Sequence, residues 1–281
     1  MGRILIIGGS GFLGQALYHE LQAYFDVYGT YCKQSGPYKD NQVFRHFNAE
    51  TDDLLPILEE VVPTVIISAF AATPAALKKA HGQLVEYVGR APERRLYFLS
   101  SYEVFDARWQ YPAYEQDHPL AQSISGKVKL ALEKQIMDLL PDQRSILRIP
   151  WVLGVNSPLI FNLRQAGRHR ATYEIYPKLV ISVTTADKLA QQIHYIINQD
   201  MYGIFHLASK DLIHHEDLFT EISEKINTEQ PVFKRVFQSN DDHYMAILPT
   251  AEALPKAYEI TVSEVIGQST LLDEISSLKN R

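Results

Sequence analysis

The chain has 281 residues, of which 46% are hydrophobic and 21% charged, and its net charge is −6. A chain of that size holds one large domain, or a nucleotide domain with a smaller lobe, and without a long basic run neither nucleic acid nor an anionic membrane surface is expected as a partner. One cysteine, Cys32, excludes an intrachain disulfide and a cysteine-built zinc site; with no targeting pattern and no apolar run of membrane-spanning length, the expected compartment is the cytoplasm.

The run Ile4-Leu5-Ile6-Ile7 predicts a first strand, and Gln15-Ala16-Leu17-Tyr18-His19-Glu20-Leu21 an amphipathic helix. Between them lies Gly8-Gly9-Ser10-Gly11-Phe12-Leu13-Gly14. A glycine turn between strand and helix suits phosphate. Gly8 permits the sharp turn, Gly11 the close approach of backbone to a pyrophosphate, and Gly14 tight packing of helix on strand, while the helix N-terminus offers N–H groups to the anion. Ser10, Phe12 and Leu13 complete the candidate cofactor turn. The bland alternative is an ordinary connection with glycines for packing.

Strands are predicted at 26–31 and 43–47, a helix at 52–62 ended by Pro63, and a fully buried strand at 64–70. A helix at 74–89, a buried strand at 96–99, a helix at 125–140 stopped by Pro141 and a strand at 145–149 follow. Past Pro150 the alternation loosens, with helices predicted at 158–166, 186–198, 215–226 and 262–278 and short strands at 203–207 and 232–237. Near-continuous apolar strands alternating with helices imply a Rossmann-type, doubly wound parallel sheet covered on both faces. The expected division is a nucleotide-binding domain over 1–150 and a smaller α+β, substrate-binding lobe over 151–281, some of whose elements interleave with the first. The lobe is expected to close over the C-terminal edge of the sheet, where such folds bind ligands.

Leu99-Ser100-Ser101-Tyr102-Glu103-Val104-Phe105-Asp106 resembles the strand-end motif of extended short-chain dehydrogenases, nearest to the dTDP-4-dehydrorhamnose reductase family, which reads Ser-Thr-Asp-Tyr-Val-Phe-Asp there. The loop Tyr111-Pro112-Ala113-Tyr114-Glu115 and the strand Leu147-Arg148-Ile149-Pro150-Trp151-Val152-Leu153-Gly154 resemble later motifs of that family. So do the segments at 183–190 and 203–208, all in the family's order. The resemblance implies hydride transfer at the keto group of a nucleotide sugar, with a tyrosine as proton donor. A lysine four residues later lowers the phenol pKa and holds the nicotinamide ribose, and a serine or threonine orients the carbonyl.

At that position the family reads Tyr-Gly-x-x-Lys and this chain reads Ser125-Gly126-Lys127-Val128-Lys129. Gly126, Lys129 and Glu133 fit; the tyrosine is replaced by Ser125, whose hydroxyl is shorter and far less acidic. Ala69-Phe70-Ala71-Ala72-Thr73 also runs almost directly into the next helix, where relatives carry a longer wall segment, so the substrate side is expected to be trimmed. Three readings stand: a degenerate member that keeps the nucleotide fold, an active reductase or epimerase with a relocated acid, or a proton from substrate or water. Under the second, Ser101 holds the carbonyl, Lys129 the ribose, and Tyr102 supplies the proton. The competing class is a noncatalytic binding or regulatory subunit, a homodimer or the partner of another protein.

Rossmann proteins that prefer NAD place an acid about 20 residues beyond the glycines, and Thr30-Tyr31-Cys32-Lys33-Gln34-Ser35 has none. Lys33 and Ser35 suit a 2′-phosphate, which favours NADP over NAD, although a loop lysine is also an ordinary surface residue. Asn48 is placed to meet adenine through its amide, and Ala69 to form the cofactor wall. His214-His215-Glu216-Asp217 points two neighbouring side chains apart and reads as a loop leading into a capped helix rather than a metal site. Asp241-Asp242-His243 reads as a solvated loop, and Arg164, Arg168, His169 and Arg170 as either a diphosphate contact or a solvated helix end.

Overall fold

The computed structural model describes residues 2–33, 38, 41–227, 229–250 and 253–271. In chain order its elements begin with β1 (Arg3–Ile7), α1 (Phe12–Leu21), β2 (Asp26–Tyr31), β3 (Phe44–His46), α2 (Leu55–Val61), β4 (Val65–Ser68), α3 (Pro74–Gly89) and β5 (Arg95–Ser101). Then come α4 (Ile124–Ile136), β6 (Arg144–Ile149), β7 (Trp151–Leu153), α5 (Pro158–Arg168), β8 (Thr172–Ile175), β9 (Leu179–Ile181), β10 (Val183–Thr185) and α6 (Ala186–Asn198). The last are β11 (Gly203–His206), β12 (Ile213–His214), α7 (His215–Ile226), β13 (Val232–Arg235), β14 (His243–Met245) and α8 (Val262–Ser269). Two compact units share them: Met1–Ala107, Pro119–Arg148 and Leu189–Phe205 in the first, Arg108–His118, Ile149–Lys188 and His206–Arg281 in the second.

The first unit is built on a seven-stranded sheet in the order β11-β6-β5-β4-β1-β2-β3. β1 pairs in parallel with both β2 and β4, β2 with β3, and β4 with β5. Strand order reverses at β1, so the loops after β1 and β4 diverge and leave a crevice at the carboxyl end of the sheet. Leu5, Ile7, Leu58, Ile66, Leu84, Phe98 and Ile136 lie in one buried cluster that joins the strands to α2, α3 and α4. Each such side chain contributes about 1.5–3 kcal/mol on burial, which is why the central strands of the sheet are apolar on both faces.

Helix boundaries follow local chemistry. The Thr73 and Ser123 hydroxyls accept the N–H groups of Ala76 and Gly126 to start α3 and α4. α2 ends where Val62 adopts a left-handed conformation ahead of Pro63.

The second unit differs most from the sequence reading. Its strands form three small sheets, β10-β7, β12-β9-β14 and β13-β8, around a core that includes Leu153, Ile160, Ile181, Phe219 and Val265. The strands β8, β9, β10, β12 and β14 are too short to show a period, so the residue pattern missed them. The expected solvated loop at Asp241–His243 is corrected: His243 is buried on β14 and pairs with Leu179. The expected cap on the helix after Asp211 is corrected as well, because His214 at its N-cap makes no side-chain cap bond. The described part of the helix expected over 262–278 ends at Ser269. Among the described residues no helix is long and apolar enough to cross a membrane.

Candidate active site

The glycine turn occupies the strand-order reversal. Gly8 has φ +87°, and a Cβ there would stand 2.5 Å from the Ala69 carbonyl oxygen; only glycine fits. At Gly14 a Cβ would meet the Gly8 oxygen at 2.1 Å, so α1 could not lie this close to the turn. The turn is tied to β2 through Gly8 N–H to Thr30 Oγ1 (2.8 Å) and Ser10 N–H to Thr30 O (3.1 Å). Gly11, the N-cap of α1, brings no side-chain cap. The first helical bond runs from Gln15 N–H to Gly11 O, so the amides of Phe12, Leu13 and Gly14 precede the ladder and face whatever lies at the helix N-terminus.

What lies there is a cavity of about 530 Å³ lined by Gly8–Leu13 without Gly9, by Thr30–Lys33, by Phe47–Glu50 and by Ala69–Ala72. That volume falls within the range of small-molecule sites, about 300–1,000 Å³. Of the residues expected to bind cofactor, Gly8, Ser10, Gly11, Phe12, Leu13, Lys33, Asn48 and Ala69 line it; Gly14 lies behind the turn, and Ser35 falls outside the described residues. Asn48 Oδ1 accepts the Glu50 N–H at 3.1 Å, which leaves its NH₂ group and one oxygen lone pair for a base edge.

Glu50 and Phe70 are among the wall residues that the sequence reading did not assign to the site. The Glu50 carboxylate accepts both the Thr73 N–H (2.8 Å) and Oγ1–H (2.7 Å), which pins the short β4–α3 connection and holds the Glu50 pKa below its ordinary value. Phe70 stacks on buried His81 at 5.5 Å and 8°. His81 donates from Nδ1 to Leu77 O and accepts the Ser68 hydroxyl at Nε2 (2.7 and 2.9 Å); burial pulls its pKa down to about 4, so the imidazole is neutral.

Ser101, Tyr102, Ser125 and Lys129 form a second group, none of which lines that cavity. Asp106 builds its frame. Its carboxylate accepts the N–H groups of Gln122 (2.5 Å) and Ser123 (3.1 Å) and so docks the start of α4 on the 3₁₀ turn Tyr102–Phe105. The approach requires Gly126, whose Cβ would stand 2.2 Å from the Glu103 carbonyl oxygen. Glu133 and Arg148 anchor α4 from below: Nε and Nη2 of the arginine meet the two carboxylate oxygens at 3.0 and 2.8 Å, and Ser100 Oγ–H donates to Glu133 at 2.5 Å, all buried.

This frame places Ser125 Oγ 2.7 Å from Glu103 Oε2, and Ser101 Oγ 3.2 Å from the same oxygen. Glu103 is thus the central residue of the group. The sequence shows it beside Tyr102, but only the 3₁₀ turn reveals that it faces Ser125. Lys129, one helical turn beyond Ser125, donates to Leu99 O at 2.9 Å and sits 5.0 Å over the Phe98 ring. Burial lowers its pKa to about 8 against the opposing pull of Glu103 and Glu133. Tyr102 opens the turn, and burial followed by Glu103 and Asp106 pushes its phenol above the ordinary value, the opposite of what a proton donor needs. In the second unit, Arg170 pairs with Glu229 through two bonds of 2.9 and 2.8 Å. No cluster of metal-ligating side chains exists among the described residues.

A sequence profile described as the RmlD substrate binding domain matches residues 2–253. The chain is 30% identical over 116 residues to a dTDP-4-keto-6-deoxy-D-glucose reductase of Streptomyces niveus, spanning 41% of this chain and 40% of that protein. It is 24% identical over 260 residues to the beta subunit of methionine adenosyltransferase 2 of Danio rerio, spanning 82% and 78%. Its fold matches the crystal structure of a dTDP-4-dehydrorhamnose reductase from Clostridium acetobutylicum at TM-score 0.77 and 19% identity, with 99% of both chains covered. It also matches the Bacillus anthracis reductase in complex with NADP, at TM-score 0.75 and 17% identity over 95% of this chain and 98% of that one.

Proposed function

This chain belongs to the family of the RmlD substrate binding domain, and from that premise we propose that it binds NADP at its glycine turn while having lost efficient keto reduction. The observation that carries the reading is the contrast between the two groups of residues. The turn keeps its forced glycine at Gly8, its uncapped helix start at Gly11 and a cavity of the right size. Phe12, Leu13 and Gly14 offer their amides to the pyrophosphate, Asn48 offers its NH₂ to adenine, and Lys33, with no acid beside it at Tyr31 or Cys32, favours a 2′-phosphate. The bound dinucleotide would supply hydride.

The residues that should hold and move the proton do not fit reduction. Ser125 stands in place of tyrosine and gives its hydroxyl to Glu103, and Tyr102 is shifted away from acidity. A missing general acid slows a reaction on the order of 10²–10⁴-fold. Lys129 keeps its place for the nicotinamide ribose. The likeness to an adenosyltransferase beta subunit over most of the chain favours a second reading, in which nucleotide binding serves a regulatory role in a complex with another protein.

A fluorescence titration with NADPH and NADH, side by side, tests the first reading. Saturable binding with NADPH preferred at least about tenfold is expected, a difference of 1.4 kcal/mol. No binding of either at millimolar concentration refutes it.

A further inference from the structure

We propose that Glu103 turns the serine edge of the site toward ligands that donate hydrogen bonds, so that the sugar accepted there carries an alcohol where a reductase's substrate carries a ketone. The inference deepens the reading above and rests on its assignment of a nucleotide-sugar ligand.

A ketone oxygen is held by donors. Each serine hydroxyl has one hydrogen. Here the hydrogens of Ser101 and Ser125 are both directed at a single carboxylate oxygen, Glu103 Oε2, at 3.2 and 2.7 Å. A carboxylate only accepts, so the lone pairs of the two hydroxyl oxygens are what remain for a ligand. Ser101 is committed further, because its Oγ also accepts the Glu103 N–H at 3.2 Å and thereby caps the 3₁₀ turn. Lys129, whose ammonium carries three hydrogens, spends one on Leu99 O. A ketone oxygen placed against Ser101, Ser125 and Glu103 meets hydroxyl lone pairs and a carboxylate, all of its own polarity. A sugar hydroxyl placed there donates to Ser125 Oγ or Glu103 and leaves the existing bonds intact. The arrangement is held, since Asp106 docks α4 on the turn and Gly126 allows the close approach that brings Ser125 to Glu103.

Calorimetry with two probes that differ at one carbon tests this: dTDP-6-deoxy-D-glucose and dTDP-4-keto-6-deoxy-D-glucose, each with and without saturating redox-inactive tetrahydro-NADP. The hydroxy probe is expected to bind about tenfold more tightly to the wild type, the scale set by one unmet polar contact. In Glu103→Gln, whose amide presents donors to a ketone, the ratio is expected to fall below about threefold, and Ser125→Ala is expected to reduce it as well. Equal binding, preference for the ketone, an unchanged ratio in Glu103→Gln, or no binding of the hydroxy probe overturns the proposal. Thermal midpoints of the variants separate a lost preference from a lost fold, and the NADPH titration reports independently on the dinucleotide site.

Discussion

Gly11→Asp separates the structural role of the α1 N-terminus from its proposed binding role, because the two respond with opposite sign. Gly11 has φ −76° and ψ 170°, extended backbone open to any residue, and a Cβ there would approach only the Gly8 carbonyl oxygen, at 3.3 Å. The fold therefore accommodates the side chain with a shift of a few tenths of an ångström. Aspartate is a better N-cap than glycine by a few tenths of a kcal/mol, and its charge at the helix N-terminus adds about 0.3–1 kcal/mol. Net of the tight contact, we expect about 0.5 kcal/mol of stabilisation, or a rise of roughly 1–2 °C in the thermal midpoint for a chain of this size. The same carboxylate takes the place of the pyrophosphate and repels it. Like charges about 4 Å apart at an effective dielectric near 20 cost about 4 kcal/mol, so NADPH affinity should fall by at least about 100-fold. Differential scanning fluorimetry and a fluorescence titration on the same preparation read both numbers. NADPH affinity within threefold of wild type would refute the assignment of the turn, and a midpoint lowered by more than about 5 °C would refute the account of its backbone.

Three further outcomes follow from the same structure. Glu133→Gln or Arg148→Met, which breaks the buried pair while leaving one partner charged or polar, should cost about 3–5 kcal/mol in urea unfolding, whereas the double variant should recover part of it; a single-variant loss below about 1 kcal/mol would mean the pair does not anchor α4. Ser125→Tyr restores a phenol one turn before Lys129 and should raise NADPH-dependent reduction of dTDP-4-keto-6-deoxy-D-glucose by about 10²-fold over the wild-type rate, and no gain in a folded variant would show that more than the acid is missing. Burial holds His81 and His215 each at about 4, below the ordinary value of 6.5. The unfolded chain therefore binds more protons between those limits, and stability falls as pH drops through that window. From pH 7 to pH 5 each histidine should cost about 2 kcal/mol, and His81→Phe or His215→Phe should each remove about that much of the deficit; an unchanged pH dependence in both variants would rule out these histidines as its source.

Much of the first unit was readable from the residues because its signals are local. Strands apolar on both faces, helices bounded by Thr73 and Pro74 or ended near Pro63, and a glycine turn between β1 and α1 each declare themselves within a few positions. The family resemblance implies that Ser125 stands where relatives have tyrosine. The second unit declared its helices α5, α7 and α8 and the strand β13 but few of its other strands, since strands of two to four residues such as β9, β12 and β14 carry no measurable period and owe their pairing to neighbours far along the chain.

By itself, then, the sequence determined the doubly wound sheet, the glycine turn between its first strand and first helix, and a serine at position 125. Only the tertiary structure decided what Ser125 meets. Glu103 meets Ser125 across 22 positions of chain because Asp106 and Gly126 dock α4 on the 3₁₀ turn, and Glu50 ties down the β4–α3 connection by reaching 23 positions to Thr73. Hydrogen bonds of that kind depend on distance in space, which residue order constrains only after the strands have paired and the helices have packed.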